Sequence, residues 1–414
     1  MVKNDKTFSI EIKLEIQLDN TNLNMLITIE TLSGFRKHLK ELAKMKIDSL
    51  LILVTDEIDN EYVKKHFLKI YDEIIHMKET LTSLPPEIGQ LTSLKILKIH
   101  MKETLTSLPP EIGQLTSLKI LGLIAKLRKL PSEIGQLSML EILQLDYNKL
   151  ESLPPEIGQL TSLKKLHMLN NNIDSLPHEI AGLKNLKYLT LADNGMKRFP
   201  PEIGQLTSLQ ELDLERNKFT SLPHDIGKLV SLNNLNLNYN SLKSLPPEIG
   251  QLTSLENLDL SLNKLTTLPK EIGQLSSLKK FLIDNNSIKQ LPHEIGRLTM
   301  LETLELSENK LKTFPPEIGL LCSLESITAT FNELKTLPPE IGELKSLKHL
   351  DVADNKLVSL PPEIGQLTNI KRFDIFQEDE KKIKVSANLK DFLKKKNKYY
   401  IDEDYEFIDD KIIN

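Results

Sequence analysis

One cysteine, Cys322, stands in 414 residues, so no intramolecular disulfide can form. That excludes the extracellular habit of tying chain ends together with cystines and sets the expectation of a reducing compartment. Long apolar runs are missing too. The longest, "LLILV" at Leu50 to Val54, is far too short to cross a bilayer. The opening "MVKNDKTFSIEIKLEI" spreads its charges throughout and has no compact apolar stretch of the kind a secretory signal needs. A cytoplasmic chain without a membrane span is expected. Charge of one sign is not in excess either: Lys+Arg 53 against Asp+Glu 58 leaves a formal net charge of −5. Nucleic acid is therefore not an expected partner. No phosphate loop, G-x-S-x-G, C-x-x-C or H-E-x-x-H occurs, so no enzymatic activity and no cofactor are expected.

What is present is repetition. "LP.EIG" or a close variant begins at Leu84, Leu108, Leu130, Leu153, Leu176, Phe199, Leu222, Leu245, Leu268, Leu291, Phe314, Leu337 and Leu360. From Leu130 onward the step is always 23, and the two earlier steps of 24 and 22 restore the phase. The stretch "IHMKETLTSLPPEIGQLTSLKIL" even occurs twice without a change, at Ile75 to Leu97 and at Ile99 to Leu121. A representative unit, "MLEILQLDYNKLESLPPEIGQLT" from Met139, has leucines at 140, 143, 145, 150 and 153. The pattern L-x-x-L-x-L-x-x-N-x-L and its period are those of leucine-rich repeats, which they resemble closely.

The residue types explain the pattern. Leu143 and Leu145 alternate, so both fall on one side of a short strand and Gln144 on the other. Asparagine follows at a fixed offset in ten units: Asn148, Asn171, Asn194, Asn217, Asn240, Asn263, Asn286, Asn309, Asn332 and Asn355. A carboxamide donates and accepts, so these ten are expected to form a structural ladder that satisfies backbone groups of neighbouring coils. "LPPEIGQL" then returns the chain, with proline opening a short helical turn and glycine ending it. A single unit buries too little to repay its ordering, so the units are expected to fold as a stack that needs caps.

Two segments lie outside the array. Residues 1–74 read as a small α/β domain or N-terminal cap: "FSIEIKLEIQL", "NMLITIE" and "IDSLLILVTD" as strands, "LSGFRKHLKELAKM" and "NEYVKKHFLKIYDEI" as amphipathic helices. Residues 75–376 form the solenoid of about 13 repeats. Residues 377–414 read as a C-terminal cap and charged tail, with Glu378 where asparagine should stand, a lysine cluster at Lys394 to Lys396 and an acidic stretch at Asp402 to Asp410. That stretch lacks the glycine of a calcium loop. Histidine stands beside carboxylates at His178, His224 and His293, but these are two and three coils apart, at least ~10 and ~15 Å at ~4.8 Å per strand. Ligands of one zinc lie ~2 Å from it, so no metal site is expected. Cys322 replaces Thr or Ser of other units and reads as a small, semi-buried side chain.

Function is then sought on the strand face that points away from the core. In the ten ladder-bearing units its four columns hold eleven carboxylates, namely Asp146, Asp193, Glu211, Asp213, Glu215, Asp259, Asp284, Glu305, Glu308, Asp351 and Asp354. Against them stand three fixed positive charges, Lys165, Arg216 and Lys280. Tyr147, Tyr188, Tyr239 and Phe331 share these columns, and exposed aromatics are the usual anchors of protein interfaces. Asp213, Asp259, Glu305 and Asp351 recur every 46 residues, and the same units carry Lys218, Lys264, Lys310 and Lys356. Duplication of a two-repeat cassette explains this, as does relief of repulsion between adjacent acids. The candidate protein-binding residues are Tyr147, Tyr188, Glu211, Asp213, Glu215, Arg216, Tyr239, Asp259, Asp284, Glu305, Phe331 and Asp351.

The form "LPPEIGQLTSLKxLxLxxNxLxSLP", over about Ile75 to Phe376, resembles the repeats of cytoplasmic Ras-interacting scaffolds: the Ras-suppressor type, the plant Ras-group-related proteins, and the Scribble and Erbin family. The resemblance implies an α/β solenoid, a curved horseshoe with a parallel concave sheet and short helices or 3-10 turns on its convex face. It also implies a non-enzymatic signal-transduction scaffold whose concave face takes a protein, often a small GTPase or a phosphatase subunit. The acidic columns call for a basic surface on that partner. Two other classes remain open at this point: a regulator or enzyme subunit with its activity in the N-terminal domain, and a secreted adhesin.

Overall fold

The computed structural model describes residues 10–18, 21–29, 40, 49–53, 75–77, 82–100, 105–377, 383–396 and 405–408. Of the two N-terminal helices expected from the sequence only Lys40, which is helical, is among these residues, and most of the acidic stretch near the C-terminus lies outside them. The chain divides into two compact units, Met1–Met196 and Lys197–Asn414.

In the first unit the strands are β1 (Ile10–Leu18), β2 (Thr21–Ile29), β3 (Ser49–Leu53), β4 (Ile75–Met77), β5 (Ile96–His100), β6 (Ile120–Ile124), β7 (Ile142–Gln144), β8 (Lys165–His167) and β9 (Tyr188–Thr190). β1 pairs antiparallel with β2 and with β4, while β5 to β9 pair in parallel, each with the next. The N-terminal strands thus belong to the same sheet as the first repeats. β3 lies between β4 and β5 and is parallel to both, with Leu53 opposite His76 on one side and His100 on the other. The Ile-His pairs that open the two copies, Ile75–His76 and Ile99–His100, therefore lie in strands on either side of one inserted strand. On the turn side the same two copies stack directly, with Thr106 N–H donating to the Thr82 carbonyl at 2.9 Å.

The second unit holds β10 (Glu211–Asp213), β11 (Asn234–Asn236), β12 (Asn257–Asp259), β13 (Lys280–Leu282), β14 (Thr303–Glu305), β15 (Ser326–Thr328), β16 (His349–Asp351) and β17 (Arg372–Asp374). All pair in parallel and in register, Asp213 with Asn236, Asn236 with Asp259, and so on to Asp374. In β10 to β16 only the middle residue of each strand is buried, as Leu212, Leu258 and Leu304 are, while Glu211 and Asp259 look outward; in β17 Asp374 is buried as well as Phe373. After each strand from β10 to β16 the chain returns through a five-residue 3-10 turn such as Pro247–Gln251, preceded by Pro246 in extended backbone. Proline's fixed φ suits this entry, and its missing N–H costs nothing in the first turn. One coil buries Leu255, Leu258, Leu260, Leu265, Leu268, Ile272 and Leu275, all at 8% exposure or less.

The role expected of glycine needs correction. Gly250 sits inside its turn rather than ending it, and among the described glycines only Gly195 has a positive φ. Space is the reason. A Cβ on Gly250 would lie 2.6 Å from the Glu271 carbonyl oxygen of the next coil, and the same contact recurs at 2.6 Å from Gly296 to Glu317 and from Gly319 to Glu340. The turns approach backbone to backbone, and no side chain fits between them.

Within each unit the ladder asparagines tie neighbouring coils. Asn240 Nδ2 donates to the carbonyls of Leu214 (3.0 Å) and Leu237 (3.1 Å), and its Oδ1 accepts from Phe219 N–H at 3.1 Å. Asn148 does the same for a preceding coil that has none, accepting from Ala125 and Leu127 N–H. Beyond Asn355 the series does not stop: Gln377 Oε1 accepts from Leu357 N–H at 3.0 Å, its longer side chain acting one residue before the expected place. β18 (Ile383–Ser386), parallel to β19 (Tyr405–Ile408), and helix α1 (Lys390–Lys396) follow. Fully buried Leu393, and Phe392 with its ring 6.2 Å from that of Phe373, close the last coil. Lys396 of the lysine cluster donates to the Ile370 carbonyl.

Gly250→Ala should cost about 1–3 kcal/mol, since the Glu271 carbonyl cannot swing aside as a side-chain end would. An unchanged urea midpoint would show that the stack yields at this contact.

Candidate protein-binding face

Ten of the twelve residues singled out as protein-binding lie in the second unit. Glu211, Arg216, Tyr239 and Phe331 are exposed there, and Asp213, Glu215, Asp259, Asp284, Glu305 and Asp351 are half-buried. The in-register strands bring them onto one face in columns. Tyr147 and Tyr188 are half-buried in the first unit, with Lys165 Nζ 4.3 Å from the centre of the Tyr188 ring.

The backbone explains how side chains reach this face. The residue just before every ladder asparagine has a left-handed φ: Tyr147, Asn170, Asp193, Arg216, Tyr239, Leu262, Asn285, Glu308, Phe331 and Asp354, all between 50° and 57°. Asparagine turns inward to serve the coil, and its predecessor is turned out. Asn and Asp tolerate this conformation, but other L residues pay roughly 1 kcal/mol or more. The chain accepts that cost for Tyr239, Leu262 and Phe331, which stay 53%, 41% and 57% exposed and so gain little core packing. Arg216 lies over the Tyr239 ring, 5.2 Å from its centre. Leu262 was not among the residues expected from the sequence. Its position one place before the ladder asparagine is the signal that would have found it.

Several carboxylates also hold the fold. Asp213 Oδ1 accepts from Glu215 N–H (3.1 Å), Asp259 from Ser261 N–H (2.9 Å) and Asp351 from Ala353 N–H (3.1 Å). Asn236 makes the same bond to Asn238 N–H at 3.0 Å. Where the strand-end residue cannot, the preceding coil lends an acid: Asp284 accepts from Ser307 N–H at 2.8 Å in the coil of Glu305, and Asp146 from Leu169 N–H at 2.8 Å in the coil of His167. These bonds end the strand by satisfying an amide beyond its last pairing. The acids are not neutral bystanders electrostatically. Burial pushes the carboxyls of Asp213, Asp284, Glu305 and Asp351 above their ordinary range, and acidic neighbours add to it: Glu215 and Asp259 for Asp213, Asp259 for Asp284, Asp284 and Asp351 for Glu305, Asp374 for Asp351. In the columns of β10 to β16 nine carboxylates face two fixed cations, Arg216 and Lys280.

No group of three or more His, Cys, Asp or Glu side chains among the described residues is placed to hold a metal ion. His178 and His293 pair with the adjacent Glu179 and Glu294, and His224 with Glu248 of the next coil at 2.8 Å, all on the turn side. The bond to Glu248 pushes His224 up. Cys322 is exposed rather than semi-buried, its thiol directed at the Thr299 carbonyl.

Comparison with known proteins agrees with this architecture. The family profile of the leucine-rich repeat region matches residues 111–186 and 270–395, and two further leucine-rich-repeat profiles match 231–288 and 184–225. A solved leucine-rich-repeat protein of Leptospira interrogans is 35% identical, covering 83% of this chain and 98% of its own, at a TM-score of 0.60. The chain belongs to the leucine-rich-repeat family. The plant peptide hormone receptor RGFR1, solved in complex with RGF2, is 27% identical over 73% of this chain and 57% of its own, at a TM-score of 0.55. An internalin of Listeria monocytogenes, 21% identical over 83% and 88%, shares the fold at a TM-score of 0.62. No curated protein matches the chain. The leucine-rich-repeat fold commonly serves as a protein-interaction module, and no helix among the described residues is long and apolar enough to cross a membrane.

Two substitutions test this face. Leu262→Asn should raise stability by about 0.5–1 kcal/mol, because asparagine tolerates the left-handed backbone and little burial is lost; a fall in the thermal midpoint would show that Leu262 packs. Asp213→Asn keeps the bond to Glu215 N–H and removes the charge. A raised carboxyl destabilises the fold above its folded pKa, and that cost vanishes as pH falls toward the ordinary value of 3.8. The variant should therefore have the higher urea midpoint at pH 7, with the gap closing on acidification through this range.

Proposed function

We propose that this leucine-rich-repeat protein is a non-enzymatic scaffold that takes a protein partner with a basic surface on the strand face of β10 to β17. The observation that carries the reading is the pairing, on one face, of carboxylates with exposed apolar side chains held at left-handed φ. Acids alone describe a solvated surface. Exposed Tyr239, Leu262 and Phe331 beside them describe an interface with apolar anchors and a polar surround. The family habit of binding proteins supports this, as does the receptor relative captured in complex with RGF2. The sequence resemblance to Ras-interacting scaffolds makes a small GTPase or a phosphatase subunit the partner class to try first, in a cytoplasmic signalling role. Steering by the acidic columns gives such binding a marked salt dependence.

The test is affinity capture from native lysate with the full chain, compared with a variant carrying Asp213→Asn, Asp259→Asn and Glu305→Gln. The amides preserve the strand-end bonds of Asp213 and Asp259 while removing charge. A control carries Glu202→Gln, Glu271→Gln and Glu317→Gln on the turn side. Partners held by the face should fall about tenfold or more with the first variant and persist with the control. Equal capture by all three proteins would sink the reading.

A further inference from the structure

The strand face of the second unit has a repeat distance of its own. Register places Asp213, Asp259, Glu305 and Asp351 in one column on alternate strands, with uncharged Asn236, Leu282 and Thr328 between them. At ~4.8 Å per strand the acids stand about 9.6 Å apart, about 29 Å from first to last. Beside this column runs the row of outward-turned residues in which Tyr239, Leu262 and Phe331 are exposed. Exposed Asn234 and Asn257 begin the strands of two adjacent coils. The face thus offers a periodic set of charges, apolar footing next to it and carboxamides able to pair with an extended backbone.

Among regular chain conformations one matches that period. A β-strand rises ~3.3 Å per residue and presents every second residue, about 6.6 Å apart, on a given face. An α-helix returns to nearly the same face every seven residues, about 10.5 Å, and overshoots by roughly 3 Å over the three intervals. Polyproline II has three residues per turn at ~3.1 Å each, so every third residue faces the same way at about 9.3 Å, within about 1 Å over the whole length. Its backbone makes no internal hydrogen bonds, and aromatic-lined grooves are its usual docking ground.

We propose that the face accommodates an extended polyproline II segment, about ten residues long, with Lys or Arg at every third position, its cations meeting Asp213, Asp259, Glu305 and Asp351 in turn and its intervening residues resting on Tyr239, Leu262 and Phe331. This deepens the scaffold reading above and rests on it. The face holds these carboxyls in a partly desolvated, mutually repelling column, and an incoming row of cations offsets the repulsion.

The experiment measures fluorescence anisotropy of labelled peptides with the full chain at low salt. KPPKPPKPPK carries lysine at every third position; PKPKPKPKPP and KKKKPPPPPP have the same composition in other orders. The first should bind about tenfold more tightly, the worth of two added surface ion pairs. A variant with Asp213→Asn, Asp259→Asn, Glu305→Gln and Asp351→Asn, which keeps the strand-end amide bonds, should lose that preference while retaining the native circular dichroism. A second variant, Tyr239→Ser with Phe331→Ser, should weaken all three peptides. Equal affinity for the three orders, or binding of none, overturns the inference. If lysate capture still depends on the acids, the scaffold reading survives that result; if it does not, both fall.

Discussion

A single side-chain amide, repeated, governs the rest of the structure. Within each unit the ladder asparagine, which follows the strand, satisfies carbonyls of its own turn and of the coil before it, while accepting an amide of the latter. Nothing but a short group with two donors and an acceptor does all three. Because these bonds link consecutive coils at nearly constant length, they fix the spacing and the lateral register of the strands. Close approach of the turns through Gly250 and its equivalents sets the same spacing on the other side. The columns of the strand face are a by-product of that registration.

The ladder also decides what those columns can present. Turning an asparagine inward forces its predecessor into the left-handed region, where it stands clear of the core. A residue there lies outside the buried core and bears a backbone cost. That makes it the position at which units can differ with the least damage to the stack, and it is where Arg216, Tyr239, Leu262, Glu308 and Phe331 do differ. The acids of the neighbouring column have a second employment in closing the strand. Asn236 performs the bond of Asp213 without the charge, so the 46-residue alternation of charge is superimposed on a hydrogen-bonding need common to both members of the pair.

Much of this was legible in the sequence. Period, alternation and fixed offset identified the short strands, the turns between them and the ten asparagines, because each depends on local spacing. The missing parts depend on contacts between coils. The glycine looks like a turn-breaker until the Glu271 carbonyl is seen beside it. Gln377 looks like the failure of the ladder, since a one-residue shift hides a side chain long enough to compensate. Cys322 was expected to be semi-buried and is exposed, because turn-side positions differ in depth by a single residue. Leu262 escaped notice because hydrophobicity in a leucine-rich chain signals core, although its place one residue before the ladder asparagine puts it in the outward-turned row.

Strand β3 has a consequence for how the array finds its beginning. Stacked repeats are interchangeable to their neighbours, and two copies of one segment side by side would allow coils to pair one repeat out of step at little cost in sequence complementarity. Here Ile75–Met77 and the strand beginning at Ile96 are kept apart by Ser49–Leu53, which belongs to no repeat and has no copy elsewhere. The two strands meet different partners: one faces the antiparallel β1, the other the parallel β6. A non-repeating strand between them acts as an origin mark, so a chain that lengthens by copying its own units still has one place from which to count.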